Sequence, residues 1–154
     1  MKRLPIILIG TLLVVAACWG YLYGRFYYVP DVFGDNKASL EEIITLLPTV
    51  QKTEFLISNF ENCISGKTVC SEGEKKIYQA MLHSHIFSIT FRDDKKTWFS
   101  FDPDYYNRPI YLYYVPEGRS RDEMTRSQGH DYGIIRSHEN GKWVITAPRG
   151  IFSE

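Results

Sequence analysis

The sequence lacks net charge, because 18 Lys and Arg residues balance 18 Asp and Glu residues in a chain of 154. Proteins that bind nucleic acid usually carry clustered positive charge that neutralises phosphates. The balance therefore gives no electrostatic reason to expect a nucleic-acid partner. The chain also lacks low-complexity segments, a visible repeat period and long runs of like charge. We therefore expect neither a solenoid nor a disordered charged tail.

Sequence motifs of several enzyme classes are missing as well. The chain has no Gly-x-Ser-x-Gly nucleophile elbow and no glycine-rich pattern for phosphates or dinucleotides. Asp102, Asp104 and Asn107 loosely suggest a calcium loop, but Pro103 interrupts it and the bidentate Glu of such loops is absent. We interpret this segment as a turn and expect no cofactor.

The first 29 residues predict the cellular localisation of the rest of the chain. Lys2 and Arg3 precede an uncharged, mostly apolar run from Leu4 to Tyr23, close to the ~20 residues that span a bilayer core as a helix. Cations before such a run favour an N-terminus in the cytoplasm and a C-terminal domain outside it. Aromatic residues cluster at the outer end, where rings favour the bilayer–water boundary: Trp19, Tyr21, Tyr23, Phe26, Tyr27 and Tyr28.

A cleaved signal is the alternative interpretation of this N-terminal segment. Its basic start, apolar centre and small residues fit a secretory signal. Val15-Ala16-Ala17-Cys18 resembles the bacterial lipobox, and that resemblance implies lipidation of Cys18. The apolar and aromatic residues after Cys18 depart from the polar tether typical of lipoproteins. The anchor and the signal both place residues 39–154, after a linker at 30–38, in the cell envelope as a single extracytoplasmic domain. A buried core helix is the structural alternative for the N-terminal segment.

The other two cysteines, Cys63 and Cys70, are separated by six residues that include Gly66. Thiols this close are expected to pair in an oxidising compartment. Free thiols in a cytosolic domain, or a zinc pair completed by ligands from elsewhere, are the alternatives. The tight C-x-x-C spacing of redox-active pairs is absent. We predict a Cys63–Cys70 disulfide.

Two helices are predicted ahead of the strands. Ser39 and Glu42 form a capping-box pattern before an apolar face that Pro48 ends. Ser71 and Glu74 repeat the pattern before a helix predicted from about Glu72 to Leu82. The segment from Thr53 to Phe60 suits a strand or a short helix, and we favour the strand.

From His85 onward the apolar residues alternate with polar ones. Phe87, Ile89 and Phe91 are predicted to share one face of a strand, with 97–101 as its hairpin partner. Further strands are expected at 110–115, 134–138 and 142–146, with Asn140-Gly141 between the last two as a strong hairpin signal. The charged segment 119–128 is either a loop or a surface helix. The predicted fold class is α+β: two short helices packed on one face of an antiparallel sheet of about five strands.

The residues that most suggest a catalytic metal site are histidines. His83 and His85 would point to one face if a strand began at His83, and His130, Asp131 or His138 would have to supply a third ligand. The structural alternative is that His83 caps the second helix and that His85 lies in the connection after it. His130 and Asp131, between Gly129 and Gly133, suit a turn as well as an acid–base loop. A small metal-dependent hydrolase is thus the alternative function.

Tyrosines on a predicted strand suggest a binding surface. Alternation places Tyr111 and Tyr113 on one face of that strand, with Arg108 nearby. Tyr and Arg are enriched at the energetic centres of protein interfaces. The structural alternative is an ordinary outer sheet face. We expect a non-enzymatic, membrane-tethered module that binds a protein or an envelope component, as an inhibitor or immunity-type protein would.

Overall fold

A computed structural model describes residues 4–26, 29–92, 95–118 and 132–148. The described residues belong to two compact units, the first up to Val29 and the second from Pro30 onward. Two features discussed above lie outside the described residues: the charged segment 119–128, and the pair His130 and Asp131.

The first unit contains helix α1, Leu4–Phe26, which is 23 residues long. The side chains described in this helix, from Ile9 to Leu22, are all exposed. Nowhere in the described part of the chain is a helix found that is both long enough and apolar enough to cross a membrane.

The second unit begins with helix α2, Val32–Leu46, inside the segment interpreted as a linker. The Asp31 side chain caps it by accepting a hydrogen bond from the Gly34 N–H. At Asn36 the helix is kinked, and the Asn36 side chain donates to the Val32 carbonyl at 3.0 Å. The prediction that Ser39 caps this helix is therefore wrong, because Asp31 supplies an earlier cap. The helix ends ahead of Pro48, as predicted, in a 3-10 turn at Leu47–Thr49.

The ambiguous segment after this helix forms both of the structures that its sequence allows. Strand β1 is only three residues long, Glu54–Leu56. A 3-10 turn at Ile57–Asn59 and the short helix α3, Phe60–Ile64, follow directly. Phe55 is completely buried, so a single inward side chain fixes this short strand to the core.

Helix α4, Glu72–His83, confirms the predicted second helix and its capping box. The Ser71 hydroxyl accepts from the Glu74 N–H at 3.2 Å, and the Glu74 carboxylate accepts from the Ser71 N–H at 2.7 Å. The predicted disulfide between Cys63 and Cys70 is also confirmed. It joins α3 to the residue directly before the cap of α4.

Within the described residues, the sheet has six antiparallel strands in the order β1-β2-β3-β4-β6-β5, one more than expected because β1 joins its edge. The other bounds are β2 Ile86–Phe91, β3 Thr97–Phe101, β4 Tyr111–Tyr114, β5 Tyr132–His138 and β6 Trp143–Pro148, with the short helix α5 at Pro103–Tyr106. The hairpin of β5 and β6 is confirmed, with Glu139, Asn140 and Gly141 all at positive φ. The α+β class with an antiparallel sheet is thus confirmed.

One face of this sheet forms the core with α2 and α4. A row of completely or almost completely buried side chains crosses five strands: Phe55, Ile89, Phe99, Leu112 and Ile145. From α2, Phe33 packs on Trp143 of β6 with ring centroids 5.0 Å apart. From α4, Tyr78 packs edge-on against Phe55 at 5.5 Å. We call this the helix-covered face.

The predicted pattern in β2 is wrong at its first position. A bulge between Ile86 and Ser88 shifts the register. As a result Ile86 is buried, whereas Phe87 is 47% exposed. The extra residue of a bulge interrupts strict alternation of side chains between the two faces. The prediction assumed strict alternation, and it therefore placed Phe87 on the same face as the buried Ile89.

Candidate functional site

The opposite face of the sheet presents aromatic side chains near its centre. Trp98 precedes the core residue Phe99, and Tyr113 follows the core residue Leu112, so both belong to the face away from the helices. Trp98 and Tyr113 are register partners, and Tyr111 lies two residues before Tyr113 on the same face. Adjacent antiparallel strands therefore assemble one surface from side chains distant in sequence.

The rings of this surface contact one another. Trp98 and Tyr113 meet edge to face, with centroids 6.0 Å apart and planes at 80°. The guanidinium carbon of Arg92 lies 5.3 Å from the centroid of the Trp98 ring, within the range of a cation–π interaction. We call Arg92, Trp98, Tyr111 and Tyr113 the aromatic outer face. Its three rings are half-buried.

The predicted binding residues and this surface overlap in part. Tyr111 and Tyr113 share the face, as strand alternation indicated. Arg108 is half-buried and lies between α5 and β4, outside the strands. The sequence prediction missed Trp98 and Arg92, because their proximity to Tyr113 depends on the register between β3 and β4. The available sequence signal was the predicted hairpin of 85–91 and 97–101. Alternation along its second strand already placed Trp98 and Phe99 on opposite faces of the sheet.

The aromatic outer face is bordered by polar side chains on one side and buried ones on the other. Toward β2 the same face carries half-buried Ser88 and exposed Thr90. Toward β6 it carries Val144 and Thr146, which are 2% and 0% exposed. The accessible part of the face therefore lies over β2, β3 and β4.

The histidines do not assemble a metal centre within the described residues, which contain no group of three or more His, Cys, Asp or Glu that could hold a metal ion. His83 ends α4, and its Nδ1 lies 2.8 Å from the Gln79 carbonyl. His85 stacks on Tyr105, with centroids 3.5 Å apart. His138 contacts Asp31. These three side chains have separate partners, each explained by local packing.

Asp31 connects the start of α2 to the last hairpin. Its Oδ2 lies 2.8 Å from the Arg136 guanidinium, and its Oδ1 lies 2.9 Å from His138 Nε2. The His138 ring also packs on Phe33, with centroids 4.7 Å apart. We call Asp31, Arg136 and His138 the α2–hairpin clasp. It holds the first turn of α2, ahead of the kink at Asn36, against β5.

The electrostatics of the α2–hairpin clasp favour an ionised Asp31. Burial by itself would raise the pKa of this carboxyl. Hydrogen bonds from the Gly34 N–H and from Arg136, together with the electrostatic interactions of the carboxylate with His138 and Arg136, outweigh that effect and hold the pKa of Asp31 below its ordinary value. Nearby, Lys37 bonds Glu139 at 2.7 Å in a more exposed pair.

Both edges of the sheet have features that discourage pairing with another strand. β1 contributes only three residues. β5 contains a bulge between Ile134 and Arg136, which leaves Ile135 45% exposed. Short and bulged edges are common devices against edge-to-edge association. We therefore place the candidate site on the aromatic outer face and not on an edge.

Cys18 is exposed on α1 and forms no disulfide. Lipidation of this thiol stays a prediction. Comparison of the chain with family models, with curated proteins and with solved structures finds no match.

Proposed function

We propose that this protein is a non-enzymatic, membrane-tethered module of the cell envelope that binds a protein partner through its aromatic outer face. The observation that carries the proposal is the contact of Trp98 with Tyr113 and Arg92 on the sheet face away from the helices. Large, stiff aromatic side chains and Arg supply much of the energy at protein interfaces. They also lose little conformational entropy when they bind.

The membrane part of the proposal rests on the N-terminal sequence. Residues from Leu4 to Tyr23 carry no charge and follow Lys2 and Arg3. Apolar side chains of α1 are exposed on successive positions, with Leu12 at 65%, Leu13 at 67% and Val14 at 62%. A helix with apolar groups on all sides is stable where lipid or protein surrounds it. The confirmed disulfide is consistent with an exported domain, because disulfides persist in oxidising compartments.

Mass spectrometry of the mature protein separates the two forms of tether. An uncleaved anchor gives a mass that includes Met1, whereas a lipoprotein gives an acylated N-terminus at Cys18. Recovery of the unmodified full-length chain from the soluble fraction of cells, with Cys63 and Cys70 reduced, would contradict both the tether and the export.

The binding part is tested by replacing Tyr111 and Tyr113 together with Ser in the full-length protein. Cross-linking in the native host, followed by mass spectrometry, identifies proteins captured by the wild type. The purified partner is then titrated against each variant. We expect affinity to fall by about 100-fold or more, as for two interface hot spots. Tyr105→Ser is the matched control, since Tyr105 is 57% exposed on α5, and it should bind as the wild type does.

A further inference from the structure

A row of cationic residues crosses the sheet beside the aromatic outer face. Arg92 directly follows β2 and Lys96 directly precedes β3, and the Arg92 N–H donates to the Lys96 carbonyl at 3.0 Å. Beyond β4, the Val115 N–H donates to the Lys142 carbonyl at 2.8 Å. Continued by one residue, the register of β3 and β4 sets Val115 opposite Lys96. We call Arg92, Lys96 and Lys142 the basic row.

The basic row lies on the face of the sheet away from the helices. Thr97 and Trp143 directly adjoin it in the chain, and both are buried on the helix-covered face. Because successive side chains of a strand alternate, the basic row belongs to the opposite face, two positions along the strands from Trp98 and Tyr113. The Arg92 guanidinium reaches across that interval to the Trp98 ring. The basic row and the aromatic outer face therefore form one continuous surface.

A row of like charge is not explained by the stability of the sheet. Arg92 and Lys96 are opposite each other, and like charges at directly opposite positions disfavour strand pairing. Lys95, in the turn between them, adds a further exposed cation. Arg92 and Lys142 are exposed as well. Accessible cations that repel one another are the arrangement that an anionic ligand stabilises.

Acidic residues near the basic row neutralise only part of its charge. Glu139 lies in the last hairpin, but it is bound to Lys37 of α2 at 2.7 Å. Glu117 is exposed in the turn after β4. Asp93 and Asp94 belong in the sequence to the turn between β2 and β3, and they lie outside the described residues. Three carboxylates therefore stand against four cations, those of the basic row and the turn lysine, so positive charge remains.

We propose that the partner of the aromatic outer face presents an acidic segment to this protein, with Asp or Glu side chains on the basic row. The inference rests on the proposed function and adds the chemistry of the partner. An apolar side chain of the same segment contacts Trp98 and Tyr113, whose rings are half-buried. Half-buried rings can be reached by a partner's side chain, whereas a lipid surface takes up aromatic groups that project into it.

The spacing of the basic row suits an extended acidic segment. Neighbouring strands are about 4.8 Å apart, so Arg92 and Lys96 can bind one carboxylate together. Lys142 lies two strands beyond Lys96, at about 10 Å. Alternate side chains of an extended chain lie about 7 Å apart, and the flexible Lys stem covers the remaining difference. A segment with acidic residues at alternate positions therefore fits the row.

The test uses the full-length protein in nonionic detergent and two fluorescein-labelled peptides as probes. In one peptide glutamate alternates with leucine and tyrosine, and in the other glutamine replaces every glutamate. Fluorescence anisotropy at about 0.15 M salt should give the glutamate peptide a dissociation constant of about 1 mM or tighter. It should bind at least about tenfold more tightly than the glutamine peptide, and about 1 M salt should abolish that preference.

A pair of charge reversals locates the contact. Lys142→Glu should weaken binding of the glutamate peptide by about tenfold, because it places a carboxylate in the basic row. Lys76→Glu, at an exposed lysine of α4 on the other side of the sheet, makes the same change in net charge. It should leave the affinity within about twofold of the wild type. Both lysines are exposed, so the variants are expected to fold, and circular dichroism checks this.

Equal binding of the two peptides, equal losses in the two variants, or no binding at about 1 mM would overturn the inference. The variants are also titrated against the partner identified by cross-linking. Affinity that falls in the Tyr111 and Tyr113 double variant but not in Lys142→Glu supports the aromatic outer face and contradicts the acidic segment. Affinity unchanged in the tyrosine double variant contradicts the proposed function itself. The two failures are therefore distinguishable.

Discussion

The two faces of the sheet differ in what their side chains do. On the helix-covered face, Phe99 and Leu112 are completely buried. On the other face, their chain neighbours Trp98 and Tyr113 are only half-buried and contact each other and Arg92. Adjacent residues in β3 thus serve opposite purposes. One face contributes to folding through burial, and the other carries half-buried aromatic side chains, on which we base the proposed binding surface.

The largest expected difference between the faces is in stability. Phe99→Ala should lower the free energy of unfolding by about 3–5 kcal/mol, because it opens a cavity in a closely packed core. Urea denaturation followed by circular dichroism measures the change. A loss below about 1 kcal/mol would show that the helix-covered face is not the core.

Removing the disulfide should have the next largest effect. Replacing Cys63 and Cys70 together with Ser should cost about 2–3 kcal/mol, since closing this short loop restricts the unfolded chain. The same denaturation experiment, with and without reductant on the wild type, provides the check. Reductant should leave the double variant unchanged, and an equal response of both proteins would contradict the assignment.

The α2–hairpin clasp should contribute a smaller and pH-dependent amount. Because the pKa of Asp31 is lowered in the folded state, its ionised form adds stability that is fully present above its unfolded pKa of about 4. That stability is lost as pH falls through the folded value. Asp31→Asn keeps a capping side chain but removes the charge. We expect it to cost about 1 kcal/mol at pH 7, with the difference from wild type shrinking in acid. A difference that grows as pH falls would contradict the sign.

The sequence was sufficient for features that depend on local patterns. Ser71 and Glu74 marked the start of α4, and Asn140-Gly141 marked the last hairpin. The spacing of Cys63 and Cys70 was enough to predict their bond. Each of these signals lies within a few residues, so no tertiary information was needed.

Features that depend on register or on distant partners were predicted less well. Ser39 fits a helix cap by sequence, but Asp31 caps the helix earlier and is also bound by Arg136 and His138 from β5. Alternation in the sequence predicts that Phe87 points into the core, but the bulge between Ile86 and Ser88 changes the register. The aromatic outer face was half predicted: Tyr111 and Tyr113 follow from alternation within one strand, whereas Trp98 requires the pairing of two.

The most direct test of the account is partner binding by Trp98→Ala, made in the full-length protein and compared with the wild type. We expect this variant to lose only about 1 kcal/mol of stability, because Trp98 is only half-buried and the aromatic and cation–π contacts of its ring are each weak. Its affinity for the partner identified by cross-linking should nevertheless fall by about 100-fold. Unchanged affinity in a folded Trp98→Ala protein would contradict the assignment of the aromatic outer face as the binding surface.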